Sequence, residues 1–194
     1  MAIDRQKVIG DLSQLKVRGN NDGLIPAFGV LVNQLPAKFW NKFSEKIIDA
    51  AGDDLAEAAD GLLENAAAEC GYHTGYGIIT SDEFNSVVGP MIEKQPEDVL
   101  HGAYGVFTAW GWANSEIVEL IPNEKMVVRA YNYYEADTNN PKRPAAYMIR
   151  GVSRAFMDLA YSDAYPKGLG KFKCEQTKGI ELGDEYGEFV VTRA

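Results

Sequence analysis

Cysteine and histidine are nearly missing from this chain of 194 residues, with only Cys70 and Cys174, His73 and His101. Neither cysteine has a second one at metal-ligand spacing, which excludes a cysteine-based zinc knuckle, and a disulfide framework is not expected. Such a pair suits a reducing compartment, so a cytoplasmic location is expected. The histidines form no His-Glu-x-x-His pattern, and neither a G-x-S-x-G elbow, a G-x-G-x-x-G turn nor a Walker loop occurs, so no catalytic group, metal or cofactor is assigned. No apolar run is long enough to span a bilayer. The opening "MAIDRQKVIGDL" carries charge too early for a secretory leader. Clusters of lysine and arginine are lacking as well: 28 acidic residues against 19 basic give a net charge of -9, which argues against nucleic acid as a partner. No repeat or low-complexity linker divides the chain. One domain over 1–194 is expected, large enough to bury a continuous core and a pocket within it.

What is present reads as helices and hairpins. A short helix and a "GNNDG" turn precede "AFGVLV", which reads as a strand, and Pro36 opens the helix "PAKFWNKFSEKIIDAAG". A long helix follows in "DLAEAADGLLENAAAECGYHTGYGII", then shorter ones in "DEFNSVVGPMI" and "PEDVLHGAYGVFTAWGW". Gly71, Gly75 and Gly77, and again Gly102, Gly105 and Gly111, imply close approach of another element or of a ligand. "SEIVELI" and "KMVVRAYNYY" form an antiparallel hairpin, "EADTNNPKRP" a loop and "AAYMIRGVSRAFMDLAY" a helix with Ile149, Val152, Phe156 and Leu159 on one stripe. A closing hairpin puts Phe172, Cys174, Ile180 and Leu182 on one face. The order implies an α+β domain, with an antiparallel sheet of four to five strands against several helices.

Aromatic residues carry the functional signal. "GAYGVFTAWGWANSE" sets Tyr104, Phe107, Trp110 and Trp112 between glycines, and tyrosines and tryptophans combine an apolar face with one polar tip. That combination lines pockets for flat or oily molecules bearing few polar groups. The candidate ligand-binding residues are His101, Tyr104, Phe107, Trp110, Trp112, Tyr147 and Met148, with a small hydrophobic or aromatic molecule as the expected partner. Cys70 stands one helical turn before His73, where a thiolate pair competes with the blander reading of a small buried apolar residue. Carboxylates read as solvated surface, and Asp53, Asp54 and Glu57 as favourable charge at a helix start.

In "EQTKGIELGDEYGEFVVTRA", Gly179, Gly183 and Gly187 are four residues apart. Gly183 with Asp184 supplies a turn, whereas glycine inside a strand sacrifices packing and conformational entropy. With "FTAWGWANSEIVEL" and "EADTNNPKRPAAYMIRG", this segment resembles the 4-vinyl reductase, or hydrocarbon-binding, domain family, related in fold to the small subunits of the TRAPP tethering complex. The resemblance covers residues 36–192, leaving 1–35 as an N-terminal extension. It implies that Gly179 and Gly187 occupy two cysteine positions, and Gln176 a glutamate position, of a structural zinc site. Glycine offers no ligand and neutral Gln a poor one, so no zinc is expected; Glu175 lies one position off, facing the other way. The resemblance further implies a stand-alone ligand-binding or sensor domain, a homodimer, and a histidine and tryptophan holding a phenolic hydroxyl, for which His101 and Trp110 or Trp112 are the candidates. Two other readings stay open: an enzyme or accessory protein acting on a tetrapyrrole or polycyclic compound, and an interaction module whose pocket holds a permanent acyl chain or its own side chains.

Overall fold

A computed structural model describes residues 3–15, 17–136 and 143–194. Helix α1 (Arg5–Leu12) starts at Asp4, whose carboxylate accepts the Lys7 N–H at 3.0 Å. The run "AFGVLV" is not one strand. Phe28 and Gly29, with φ of 51° and 70°, turn the chain back so that β1 (Ile25–Ala27) pairs with β2 (Val30–Val32). Two successive positive φ values give the turn whose twist matches a tight hairpin, and alternation over six residues conceals it.

Helices α2 (Ala37–Ala51), α3 (Ala56–Thr80), α4 (Asp82–Val87) and α5 (Glu97–Ala109) follow. The Ser81 hydroxyl caps α4 by accepting from Phe84 N at 3.2 Å. Strands β3 (Ala113–Ile121) and β4 (Lys125–Tyr133) form the expected hairpin, α6 spans Tyr147–Tyr161, and β5 (Phe172–Lys178) and β6 (Gly187–Arg193) complete an antiparallel sheet in the order β3-β4-β6-β5. The architecture is α+β with four strands in its main sheet. Part of the connection before α6, residues 137–142, lies outside the described residues.

The closing segment departs from a simple hairpin. Phe172 and Cys174 share a buried face with Gln176, but Ile180–Leu182 is a short helical turn and Gly183, at φ 102°, ends it. Gly179 follows β5 and Gly187 begins β6, so neither interrupts a strand.

The principal core lies between the sheet and helices α5 and α6, around Tyr104, Phe107, Met126, Ile149, Phe156 and Phe189. Alternate residues of β5 and β6 face it, as a pleat requires, while register shifts between β3 and β4 interrupt the alternation there. Helix α6 also packs on α3, where small side chains let the two approach. Gly151 sits so near α3 that a methyl group there would fall 2.5 Å from the Glu64 carbonyl oxygen and 2.6 Å from Ala67 Cβ. Other glycines expected to mark close approaches do so: Gly71 and Gly75 abut α6, Gly77 abuts Val30, Gly102 abuts Phe84 and Val88, and Gly105 abuts Val8, whereas Gly111 faces open space and serves a turn. A second core joins α1, α4 and the small hairpin through Val8, Leu12, Phe28, Ile78, Phe84 and Val106.

Candidate functional site

Two neighbouring clefts open beside α3. One, of about 420 Å³, runs between α2 and the start of α6; the other, of about 590 Å³, lies between the Leu12–Leu35 region and the α5–β3 turn. They share Trp40, Cys70, Tyr134 and Met148, and so form two ends of one groove. The larger end is walled by Trp40, Trp110 and Trp112, which are all the tryptophans of the chain. Behind Trp110, Trp112 and Thr74 lies an apolar chamber of about 20 Å³, closed by Phe107, Phe156, Gly71 and Gly75. That volume admits about one water. A ring enters only if side chains turn aside, whereas the outer cleft takes one as it stands.

Local structure explains why Trp110 and Trp112 line the same wall. Helix α5 ends at Ala109, and Gly111, at φ 76°, reverses the chain so that Trp110 and Trp112 flank the turn before β3 begins. Trp110 meets Phe28 edge to face at 4.5 Å and Trp112 meets Phe107 at 5.0 Å. The Trp110 indole N–H is buried, and among the described residues it has no hydrogen-bond partner. A buried donor left unmade costs about 1–3 kcal/mol, which an acceptor brought to it would recover.

The smaller end has a polar floor. Glu135, just past β4, accepts the N–H groups of Met148 at 2.8 Å and Ile149 at 3.2 Å, capping α6 from outside the helix. Burial raises its pKa to about 8 in spite of those two bonds, with the Glu181 charge adding to the rise and Arg150 opposing it. Glu181 is buried beside it and accepts from Gln176 Nε2 at 2.6 Å, Ala145 N at 3.2 Å and the Tyr133 hydroxyl. Burial and this donation push the Tyr133 phenol far above its ordinary pKa.

The seven residues expected from sequence are not all brought together. Trp110, Trp112 and Met148 line the larger cleft, Tyr147 and Met148 the smaller, and Phe107 the inner chamber. Tyr104 is core, its hydroxyl donating to Ser153 Oγ at 2.8 Å. His101 is half-buried on α5, lines none of these three cavities, and is held below its ordinary pKa by burial despite Asp98. Cys70 and His73 do not pair: the thiol lies 3.8 Å from the Thr74 hydroxyl, and His73 Nδ1 is 2.8 Å from the Tyr165 hydroxyl. The reading of carboxylates as solvated surface fails for Glu135, Asp158 and Glu181, all buried. Trp40, Cys70 and Tyr134 join the site from outside the expected set, and their only sequence signal was membership of glycine-bearing or aromatic segments.

No protein-family model matches the chain, and no curated protein does. Solved structures do. The phenol-responsive sensory domain of the transcription activator PoxR, determined with phenol, superposes with a TM-score of 0.73 at 10% identity, covering 100% of this chain and 92% of that one. A trafficking protein particle complex subunit 3 from Naegleria fowleri, covalently bound to palmitic acid, gives 0.52 at 16% identity over 81% of this chain and 95% of its own. A vinyl-4-reductase family protein from Methanocaldococcus jannaschii gives 0.49 at 12% identity, over 98% and 92% respectively. The chain therefore has the fold shared by the sensory domain and the tethering subunit. No helix among the described residues is long and apolar enough to cross a membrane.

Proposed function

We propose that this protein is a binding domain for a small aromatic or hydrophobic molecule bearing one hydrogen-bond acceptor, held in the larger cleft and bound without covalent chemistry. The observation that carries the reading is the buried, unpartnered indole N–H of Trp110, a residue that lines one cleft with the other two tryptophans. A ring laid against Trp112 and Met148 would gain about 25 cal/mol per Å² of apolar surface removed from water. A hydroxyl or carbonyl on it would fix its orientation by accepting from the Trp110 indole once that ring turns its buried N–H toward the cleft. The PoxR domain, described with phenol, makes phenol and 4-alkylphenols the first probes. Saturable change in intrinsic tryptophan fluorescence with a rise in melting temperature is expected, since a ligand of the native state alone stabilises it. Trp110→Phe keeps the ring, removes the donor and weakens binding about fivefold, the equivalent of about 1 kcal/mol. A panel that moves neither fluorescence nor melting temperature sinks the reading.

A second reading rests on Cys70, an exposed thiol where the two clefts meet. An acyl chain could occupy both ends of the groove, attached when the Cys70 thiolate attacks the carbonyl of an acyl thioester and the donor's thiolate leaves. The tethering subunit bound to palmitic acid supports this alternative. In either case the domain works as a homodimer without the zinc site implied by the resemblance.

A further inference from the structure

The glycines at 179 and 187 do more than forgo ligands, because the space their side chains would fill is taken. A Cβ on Gly179 would lie 2.5 Å from Gln176 Nε2 and 2.9 Å from Glu181 Oε2, and one on Gly187 would lie 2.9 Å from the rings of Tyr133 and Phe189. Real Cβ atoms essentially never come so close. The donor set does not fit a metal either. Cys174 is buried on the same strand face, but the chain's other cysteine, Cys70, lies away on α3, so no thiol pair forms there. The Glu181 oxygens already accept three hydrogen bonds, and the Gln176 carbonyl accepts the Ala146 N–H at 3.3 Å. Among the described residues, no three His, Cys, Asp or Glu side chains are grouped for a metal ion.

We propose that the corner of the fold where the resemblance implies zinc is closed instead by a hydrogen-bonded knot centred on the Glu181 carboxylate, and that Gly179 and Gly187 are glycine to make room for it. The knot ties together elements that meet at this corner. Tyr133 brings in the end of β4 and Gln176 brings in β5. Ala145 and Ala146 bring in the start of α6, and the Ile180 N–H returns to the Tyr133 hydroxyl at 3.0 Å. Asp184 secures the turn by accepting the Gly179 N–H at 2.9 Å. The inference rests on the fold and not on the ligand reading, and its test involves no ligand.

The full chain is equilibrated with zinc sulfate, desalted and assayed by elemental analysis, and its melting temperature is taken with and without a chelator. Metal far below one per chain and an unchanged melting temperature are expected. Glu181→Gln keeps the shape and removes the charge; should it fail to fold, Tyr133→Phe tests the same centre more gently. Tyr133→Phe should lower the melting temperature by roughly 2–4 °C, the shift about 1 kcal/mol gives in a domain of this size. It should also speed hydrogen exchange at the Ala145 and Ala146 amides. One zinc retained per chain, a chelator-sensitive melting temperature, or a Tyr133→Phe variant with unaltered melting and exchange each overturns the proposal.

Discussion

Replacing Gly151 by Ala adds one methyl group where α3 and α6 are closest. The new Cβ would meet Glu64 O at 2.5 Å, Ala67 Cβ at 2.6 Å and Ala68 N at 2.6 Å. Two of these are backbone atoms, which cannot rotate aside. Restoring ordinary contact at 3.4 Å means parting the helices by 3.4 minus 2.5, or about 0.9 Å at that point. The move is resisted along the crossing, where Arg150 pairs with Asp60 at 2.8 Å and with Glu64 at 3.3 Å. Overpacking of this kind costs about 1–3 kcal/mol, and the better helix propensity of Ala returns about 1 kcal/mol. Because backbone cannot give way, the upper end of that range applies and the net expectation is a loss of about 2 kcal/mol. Gly10 in α1 is the control, because a Cβ there meets nothing within 4 Å; Gly10→Ala should gain about 0.5–1 kcal/mol. Urea denaturation followed by far-ultraviolet circular dichroism gives both midpoints. The reasoning is refuted if Gly151→Ala unfolds at the same or higher urea concentration as the parent while Gly10→Ala behaves as expected.

Glu135 makes stability depend on pH with a defined sign. Its folded-state pKa, about 8, stands above the ordinary 4.5, so between those values the folded state holds the extra proton. The contribution is complete below pH 4.5 and is lost as pH rises through about 8, at no more than about 1.4 kcal/mol per pH unit. Glu64, also raised by burial, adds a slope of the same sign. Urea midpoints from pH 5 to 8 should therefore fall more steeply for the parent than for Glu135→Gln, and parallel profiles would remove Glu135 as a source. For the acyl reading, intact-mass measurement of the purified chain should show one acyl chain, less water, that hydroxylamine releases and Cys70→Ser lacks. An unmodified parent mass refutes it.

The pattern of helices and hairpins was legible because it rests on local signals. Apolar residues recur at helical spacing in α3 and α6, and β-branched and aromatic runs flank the Pro122–Glu124 turn. What escaped was decided by contacts distant in sequence. Phe28 at positive φ gave no hint of a turn beyond the glycine beside it. Ile180 and Leu182 fit a strand face, yet the buried Glu181 between them anchors α6 and bends the backbone into a helical turn. In the sequence Glu135 and Glu181 resemble any surface carboxylate, because their burial depends largely on partners far away, such as Met148 for Glu135 and Tyr133 for Glu181. The candidate site was half legible for the same reason. Trp110 and Trp112 stood out as aromatic residues between glycines, but Trp40 and Tyr134 reach them only through folding. The alternation that placed Gln176 inward and Glu175 outward came straight from strand geometry, and the structure has Gln176 buried and Glu175 exposed.

The position of β6 has a consequence for how the chain is made. Although β6 follows β5 in sequence, it lies inside the sheet, hydrogen-bonded to β4 on one side and β5 on the other. Until residues 187–193 have left the ribosome, β4 and β5 each keep an unpaired edge and the core face of α6 has no complete sheet to cover. Such edges recruit other chains, so the nascent protein stays open to association until its inner strand emerges. A premature stop just upstream of Gly187 therefore yields an open sheet in place of a slightly shorter domain.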